Sequence, residues 1–230
     1  MASAKPRIGL QSIAVNGVKD IKPQATSERI RVAVIEDDDS VRQALSFQLR
    51  TAGFEVTVYS SAEQLLEASD AKEFDCVVAD IYLPKMNGLQ LQEELNRTIP
   101  YGSIVFITGH GDLSLGMHAM RKGAVDFLEK PVDERALLNS IARGADISRR
   151  RRAERSQLVE LEELHHSLTS REREVFALIT SGLLNKQVAA ELGTTERTVK
   201  AHRASVMIKM GAGSIADLVR MAGVLQIHSS

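Results

Sequence analysis

Arg31-Val-Ala-Val-Ile-Glu-Asp-Asp-Asp-Ser40 decides the fold. An uninterrupted apolar, β-branched run stops abruptly at consecutive acids. A strand with no polar alternation is buried on both faces, and that is a property of parallel sheets. Short runs rich in apolar, β-branched residues recur at Phe54–Tyr59, Phe74–Ala79, Ile104–Ile107 and Ala124–Leu128. Between these runs the apolar period changes to that of a helix, at Ser40–Thr51, Ala62–Ser69, Leu89–Asn96 and Leu113–Lys122, with a last helix starting near Asp133. Strand and helix alternate throughout. The expected architecture is an α/β, doubly wound five-stranded parallel sheet with helices on both sides.

Downstream, the pattern of the helix from Asp133 continues through Ser148–Arg155 and Gln157–Leu164, and neither Pro nor Gly interrupts residues 145–181. Residues 147–167 are expected to form a helical linker, with the arginine run inside it a solvated face. From Leu168 every segment is helical: Arg171–Thr180, Lys186–Leu192, Arg197–Met210 and Ile215–Ala222. Thr169 and Glu172 have the spacing of a capping box. Residues 1–29 show no periodicity and are expected to be a mobile arm. The boundaries are therefore 1–29 for the arm, 30–146 for the α/β domain, 147–167 for the linker and 168–230 for a small all-α domain.

Charge divides the chain in the same way. Residues 31–146 hold 11 Lys and Arg against 19 Asp and Glu, a balance of -8, whereas 168–230 hold 8 against 5, a balance of +3. An acidic half joined to a basic half points to a regulatory unit tied to a polyanion binder. The single cysteine, Cys76, lies in an apolar run and reads as a small core residue. No apolar stretch approaches the ~20 residues of a membrane span, and no apolar leader opens the chain, so a cytoplasmic protein without membrane contact is expected.

In an open α/β sheet, chemistry gathers at the carboxyl ends of the strands. Glu36 to Asp39 follow the first strand, Asp80 the third, Thr108 the fourth and Lys130 the fifth. Strands lie about 4.8 Å apart, so the acids of the first and third meet. Clustered carboxylates repel unless a cation joins them, and Mg²⁺ is the hard divalent partner for oxygen ligands. Carboxylates, an ammonium and a hydroxyl together suit a phosphoryl group held on a carboxylate nucleophile. A dinucleotide site needs glycines where the acids stand. A haloacid-dehalogenase-type phosphatase needs a second acid two residues after its nucleophile, where this chain has Tyr82.

Four segments resemble the receiver domains of two-component response regulators, with their flavodoxin-like fold. They are Val34-Ile-Glu-Asp-Asp-Asp-Ser-Val-Arg42, Asp80-Ile-Tyr-Leu-Pro-Lys-Met-Asn-Gly88, Ile107-Thr-Gly-His-Gly-Asp112 and Asp126-Phe-Leu-Glu-Lys-Pro131. The third looks especially like the FixJ branch. The resemblance implies that Asp80 is the phosphoacceptor. It makes Glu36, Asp37 and Asp80, with the Tyr82 carbonyl, the Mg²⁺ ligands. Thr108 and Lys130 would bind phosphoryl oxygens, and Phe127 would be the switch aromatic. Glu36 departs from the family, where Asp is common, but its longer side chain is expected still to reach a metal, directly or through water.

The C-terminal segment resembles the LuxR/FixJ-type helix-turn-helix domain through Leu168-Thr-Ser-Arg-Glu-Arg-Glu-Val175, Asn185–Gly193 and Thr198-Val-Lys-Ala-His-Arg203. At about 100° per residue, Val199, Val206 and Met210 fall on one side of its recognition helix and Arg197, Lys200, Ala201 and Ala204 on the other. The small alanines admit base edges, and Lys200 can donate to guanine. Arg197 and Arg203 suit phosphates, and Thr198 lies at the start of the same helix. The resemblance implies a non-enzymatic regulator. A sensor histidine kinase would switch its binding to double-stranded promoter DNA, with homodimerisation on activation and RNA polymerase as a further partner. The competing expectation is a DNA-binding regulator independent of phosphorylation.

Overall fold

The computed structural model describes residues 29–109 and 113–227. The arm expected over 1–29 therefore lies outside the described residues except for Arg29, and so does His110. The described residues divide into two compact units, with the boundary between Glu154 and Arg155.

In the first unit, β1 (Arg31–Ile35), α1 (Asp39–Thr51), β2 (Glu55–Tyr59), α2 (Ala62–Glu67), β3 (Cys76–Asp80), α3 (Gly88–Thr98), β4 (Ile104–Thr108), α4 (Leu113–Arg121) and β5 (Asp126–Glu129) follow in order. A short 3-10 turn, Ala71–Glu73, precedes β3. The strands form one sheet in the order β2-β1-β3-β4-β5, and every pairing is parallel. Successive side chains point to opposite faces, which explains why the strands are apolar throughout. Val32, Val34, Cys76, Val78, Val105 and Ile107 meet Leu45 and Leu49 of α1 and Leu137 and Ile141 of α5 (Glu134–His166). Ala33, Ile35, Val77, Ala79, Ile104 and Phe106 meet α2, α3 and α4 through Ala62, Leu65, Leu91, Leu95 and Ala119. Burying each large side chain contributes about 1.5–3 kcal/mol, so both faces are anchored. Cys76 is fully buried, and burial pushes its thiol up to about 12, so it is core.

Two expectations change. β2 is an edge strand, and Glu55 and Val58 are exposed, so burial on both faces does not extend to it. The arginine run is not a uniformly solvated face. Ser148 is fully buried and donates to the Tyr101 carbonyl at 2.7 Å. Arg149 donates to Asp75 at 2.8 Å, and Arg152 to the Phe74 carbonyl at 3.1 Å. Residues three and four apart share a helix face, so these side chains turn toward the sheet while Arg150 and Arg151 face solvent.

In the second unit, α6 (Ser170–Thr180), α7 (Asn185–Glu191), α8 (Glu196–Lys209) and α9 (Ile215–Val224) enclose Val175, Phe176, Val188, Val199, Val206 and Leu218. Gly193 ends α7 at φ +59°, a conformation other residues adopt at a cost. The capping box at α6 is complete: Thr169 N donates to Glu172 at 2.7 Å, and Glu172 N to the Thr169 hydroxyl at 3.2 Å. Glu172 also accepts from Lys209 and Ser205 of α8, each at 2.6 Å.

The Lys209 ammonium, then Ser205 and the Thr169 amide, hold the Glu172 carboxyl well below the usual range, at about 2. A folded-state value below the unfolded one contributes stability that is complete above about pH 4.3 and is lost as pH falls toward 2. Glu172→Gln is therefore expected to flatten the loss of stability of this unit between those limits. Urea midpoints followed by circular dichroism at pH 6 and pH 3 measure it, and identical pH slopes for both proteins would contradict it.

The start of α7 is under-capped. Its N-cap, Leu184, is 71% exposed and offers no side-chain acceptor, although Gln187 accepts from the Leu184 amide at 2.8 Å. Leu184→Ser is expected to stabilise this unit by about 1 kcal/mol. That corresponds to a rise of roughly 4–8 °C in its thermal midpoint, read by calorimetry.

Candidate functional site

Order β2-β1-β3 places the reversal of strand order between β1 and β3, and the acids stand there. Ile35 pairs with Ala79 and Asp80 with Ile107, so the ends of β1, β3 and β4 are level. Glu36 and Asp80 are buried and Asp37 is exposed. Carboxylate oxygens of all three lie within 4.8 Å of one another. Lys130 reaches them from the end of β5, with Nζ 2.7 Å from Glu36 Oε2 and 2.5 Å from Asp80 Oδ2. Its backbone amide is held by the Thr108 carbonyl at 2.7 Å. Burial raises the Glu36 carboxyl above the usual range, against the lowering pull of Lys130. Burial also opposes charge on Lys130, yet its bonds to Asp80 and Glu36 outweigh that and raise it.

Three carboxylates and one ammonium leave two negative charges. At an effective dielectric constant near 20, each carboxylate pair at this range repels by about 3–4 kcal/mol. A divalent cation with oxygen ligands matches both the charge and the donor set.

The local chain explains which acids converge. Asp38 turns away to cap α1, accepting from Ser40 N at 2.8 Å and Val41 N at 2.9 Å. Tyr82 N donates to Asp80 Oδ1 at 2.9 Å, which orients the carboxylate. Thr108 is fully buried at the end of β4. Phe127 is half-buried in β5, and a Cβ on Gly116 of α4 would approach its ring to 3.1 Å. Sequence reading did not single out two supports. Arg42 donates to the Glu36 carbonyl at 2.7 Å and pairs with Asp39, which braces the acidic turn. Gly88 lies so close beneath Asp80 that a Cβ there would be 2.8 Å from the Asp80 carbonyl. The step Asn87-Gly88 was the available signal for the second; the first had none beyond a basic residue beside acids.

In the second unit, α8 divides as its helical period requires. Val199 and Val206 are fully buried and Met210 nearly so, while Arg197, Lys200, Ala201 and Ala204 are exposed. Arg203 is half-buried and donates to Asn185 at 3.3 Å. The Thr198 hydroxyl lies 2.9 Å from that of Thr195, the N-cap. Arg203 and Thr198 are thus partly engaged within the domain. Among the described residues no helix is long and apolar enough to cross a membrane.

Residues 32–142 match the response regulator receiver domain, and 166–222 match the luxR family of bacterial regulatory proteins. Nodulation protein W of Bradyrhizobium diazoefficiens is 42% identical, covering 89% of this chain and 90% of its own. Transcriptional regulatory protein FixJ of Azorhizobium caulinodans is 40% identical, covering 85% and 92%. The chain belongs to the LuxR-type response regulators, on the FixJ branch. Solved structures agree. Response regulator StyR superposes on this regulator with TM-score 0.76 at 43% identity, over 85% of this chain and 99% of that one. Full-length FixJ from B. japonicum gives 0.51 at 35%, over 86% and 98%. The regulator is thus a two-component response regulator with receiver and DNA-binding domains, in a family of non-enzymatic transcription regulators.

Proposed function

We propose that Asp80 accepts a phosphoryl group from a sensor histidine kinase, and that this switches sequence-specific binding of promoter DNA by α8. The observation that carries the reading is the meeting of Glu36, Asp37, Asp80 and Lys130 at one sheet edge. The P–N bond of the donor phosphohistidine breaks as a bond from an Asp80 oxygen to phosphorus forms. Glu36, Asp37 and Asp80, with the Tyr82 carbonyl, would hold Mg²⁺, which when bound neutralises charge on the transferring group. Lys130 follows the new charge onto a phosphoryl oxygen, and the Thr108 hydroxyl donates to another. Movement of Thr108 opens space for the Phe127 ring, and the α4–β5 surface changes state. Met117 and Met120, 55% and 45% exposed on that surface, suit pairing with a second copy of the chain.

Residues 30–146 act as the receiver, 147–167 as the linker and 168–230 as the DNA-binding domain, in the cytoplasm. Arg197 and Arg203 position α8 on phosphates. Lys200, Ala201 and Ala204 face the bases, Thr198 contributes from the start of the same helix, and bound promoter then engages RNA polymerase. The test is gel mobility shift on selected operator DNA with and without a small phosphodonor and Mg²⁺. Affinity should rise with the donor and fall steeply with salt. Equal affinity under both conditions would leave a regulator independent of phosphorylation.

A further inference from the structure

We propose that a pocket at the amino edge of the receiver sheet, remote from Asp80, binds a small phosphate-bearing anion of the polyphosphate or nucleotide class. The pocket holds about 630 Å³, within the usual range for small-molecule sites. It is separated from the carboxylate cluster by the length of the strands, about 16 Å for five residues.

Its charge inverts that of its domain. Residues 29–154 hold 16 Lys and Arg against 20 Asp and Glu, a balance of -4, yet this recess gathers Arg29, Arg31, Lys72, Arg149 and Arg152 around Glu55, Glu73 and Asp75. The three acids are already engaged. Glu73 pairs with Arg31, and Glu55 lies 3.6 Å from the same guanidinium. Asp75, its side chain 5% exposed, takes Arg149 at 2.8 Å, the Arg31 amide at 3.1 Å and Arg152 at 3.5 Å. Asp70 also lies 3.7 Å from the Arg31 guanidinium, so five cations against four acids leave one positive charge. Among the described residues the Lys72 ammonium and Arg29 guanidinium enter no ion pair, and the buried Nε of Arg152 has no acceptor.

The cations are also held in place. Arg152 lies over the Tyr101 ring at 5.2 Å and donates to the Lys72 and Phe74 carbonyls at 3.3 and 3.1 Å. Planar guanidinium groups fixed in this way match phosphate oxygens in paired hydrogen bonds, and a free lysine adds a point charge. An anionic ligand completes the balance. Duplex DNA presents a convex row of phosphates that a recess of this size does not enclose, which favours a small ligand.

The inference is independent of phosphoryl transfer, and it is tested in the full-length protein without divalent cations, so that the negatively charged acidic cluster repels anions and does not recruit them through a metal. Titration calorimetry with inorganic pyrophosphate and, separately, with ADP should show saturable one-to-one binding that weakens with salt. Tighter binding of ADP assigns the nucleotide class, and equal or weaker binding the polyphosphate class. Arg29→Ala combined with Lys72→Ala should weaken binding at least about tenfold, with the thermal midpoint unchanged because neither side chain is in an ion pair among the described residues. Lys72→Glu alone should act in the same direction. Absence of saturable heat, or equal binding by these variants, overturns the proposal. So does binding of duplex DNA, but neither anion, that depends on Lys72.

Discussion

Asp80→Asn is expected to abolish phosphorylation and, with it, every effect of phosphodonor on DNA binding. An amide oxygen cannot form a stable acyl phosphate, so the loss is complete rather than graded. The fold should survive, because the substitution preserves shape at a site where the interactions are specific. The amide oxygen can still accept from Tyr82 N, which now lies 2.9 Å from Asp80 Oδ1. Its amide nitrogen faces Lys130, but Lys130 keeps its bond to Glu36 at 2.7 Å. The cluster's charge falls from -2 to -1, so repulsion of about 3–4 kcal/mol per carboxylate pair is relieved and affinity for a divalent cation drops. Three measurements follow the change: labelling by a radioactive phosphodonor, calorimetric titration with Mg²⁺, and the thermal midpoint. The midpoint should hold or rise. Chelating divalent ions from the natural protein should reproduce the missing label. If Asp80→Asn still bound DNA more tightly after treatment with phosphodonor, the nucleophile would lie elsewhere.

The topology was legible because the physical signals were redundant. All five strands of the receiver and the helices between them follow from the change of period. Within them, the alternate facing of Val32 and Val34 against Ala33 and Ile35 needs no information beyond the pleat. The converging acids were legible for a different reason. Once the strands are parallel, residues that follow β1, β3, β4 and β5 must share an edge. What the one-dimensional pattern could not carry was context. β2, Glu-Val-Thr-Val-Tyr, alternates polar with apolar residues where its neighbours do not, and its place at the edge also exposes Val58. Arg149 and Arg152 look like their solvated neighbours, because their partner Asp75 is far away in the sequence. Lys130 was expected near phosphoryl oxygens; that it also bridges Glu36 and Asp80 is a matter of side-chain reach. The exposed face of α8 was fixed by the helical period, whereas the bond from Arg203 to Asn185 required knowing how α7 and α8 pack.

Ala201→Glu is expected to lower operator affinity at least about a hundredfold while leaving phosphorylation of Asp80 unchanged. Ala201 lies midway along α8, a helix of 14 residues and therefore about 21 Å long, on the exposed face with Arg197, Lys200 and Ala204. A helix of ordinary diameter fills the major groove, about 12 Å wide, so the small side chains on this face set how closely it approaches. Glutamate there adds bulk and a carboxylate that must be desolvated against phosphates and base edges, and a like-charge contact of this kind costs several kcal/mol. The same substitution should not disturb the fold. Ala201 is exposed, glutamate is a good helix former, and the buried side of α8 is carried by Val199, Val206 and Met210. Lys200→Ala provides the graded comparison, with a loss of about 1–3 kcal/mol if it reads a base. If it contacts only phosphate, it should instead weaken binding to all sequences alike and reduce the salt slope by about 0.9. Fluorescence anisotropy with operator and scrambled duplexes, across a salt series, separates the two roles. Undiminished operator binding by Ala201→Glu would remove this face of α8 from the interface and require the DNA to be held elsewhere on the basic domain.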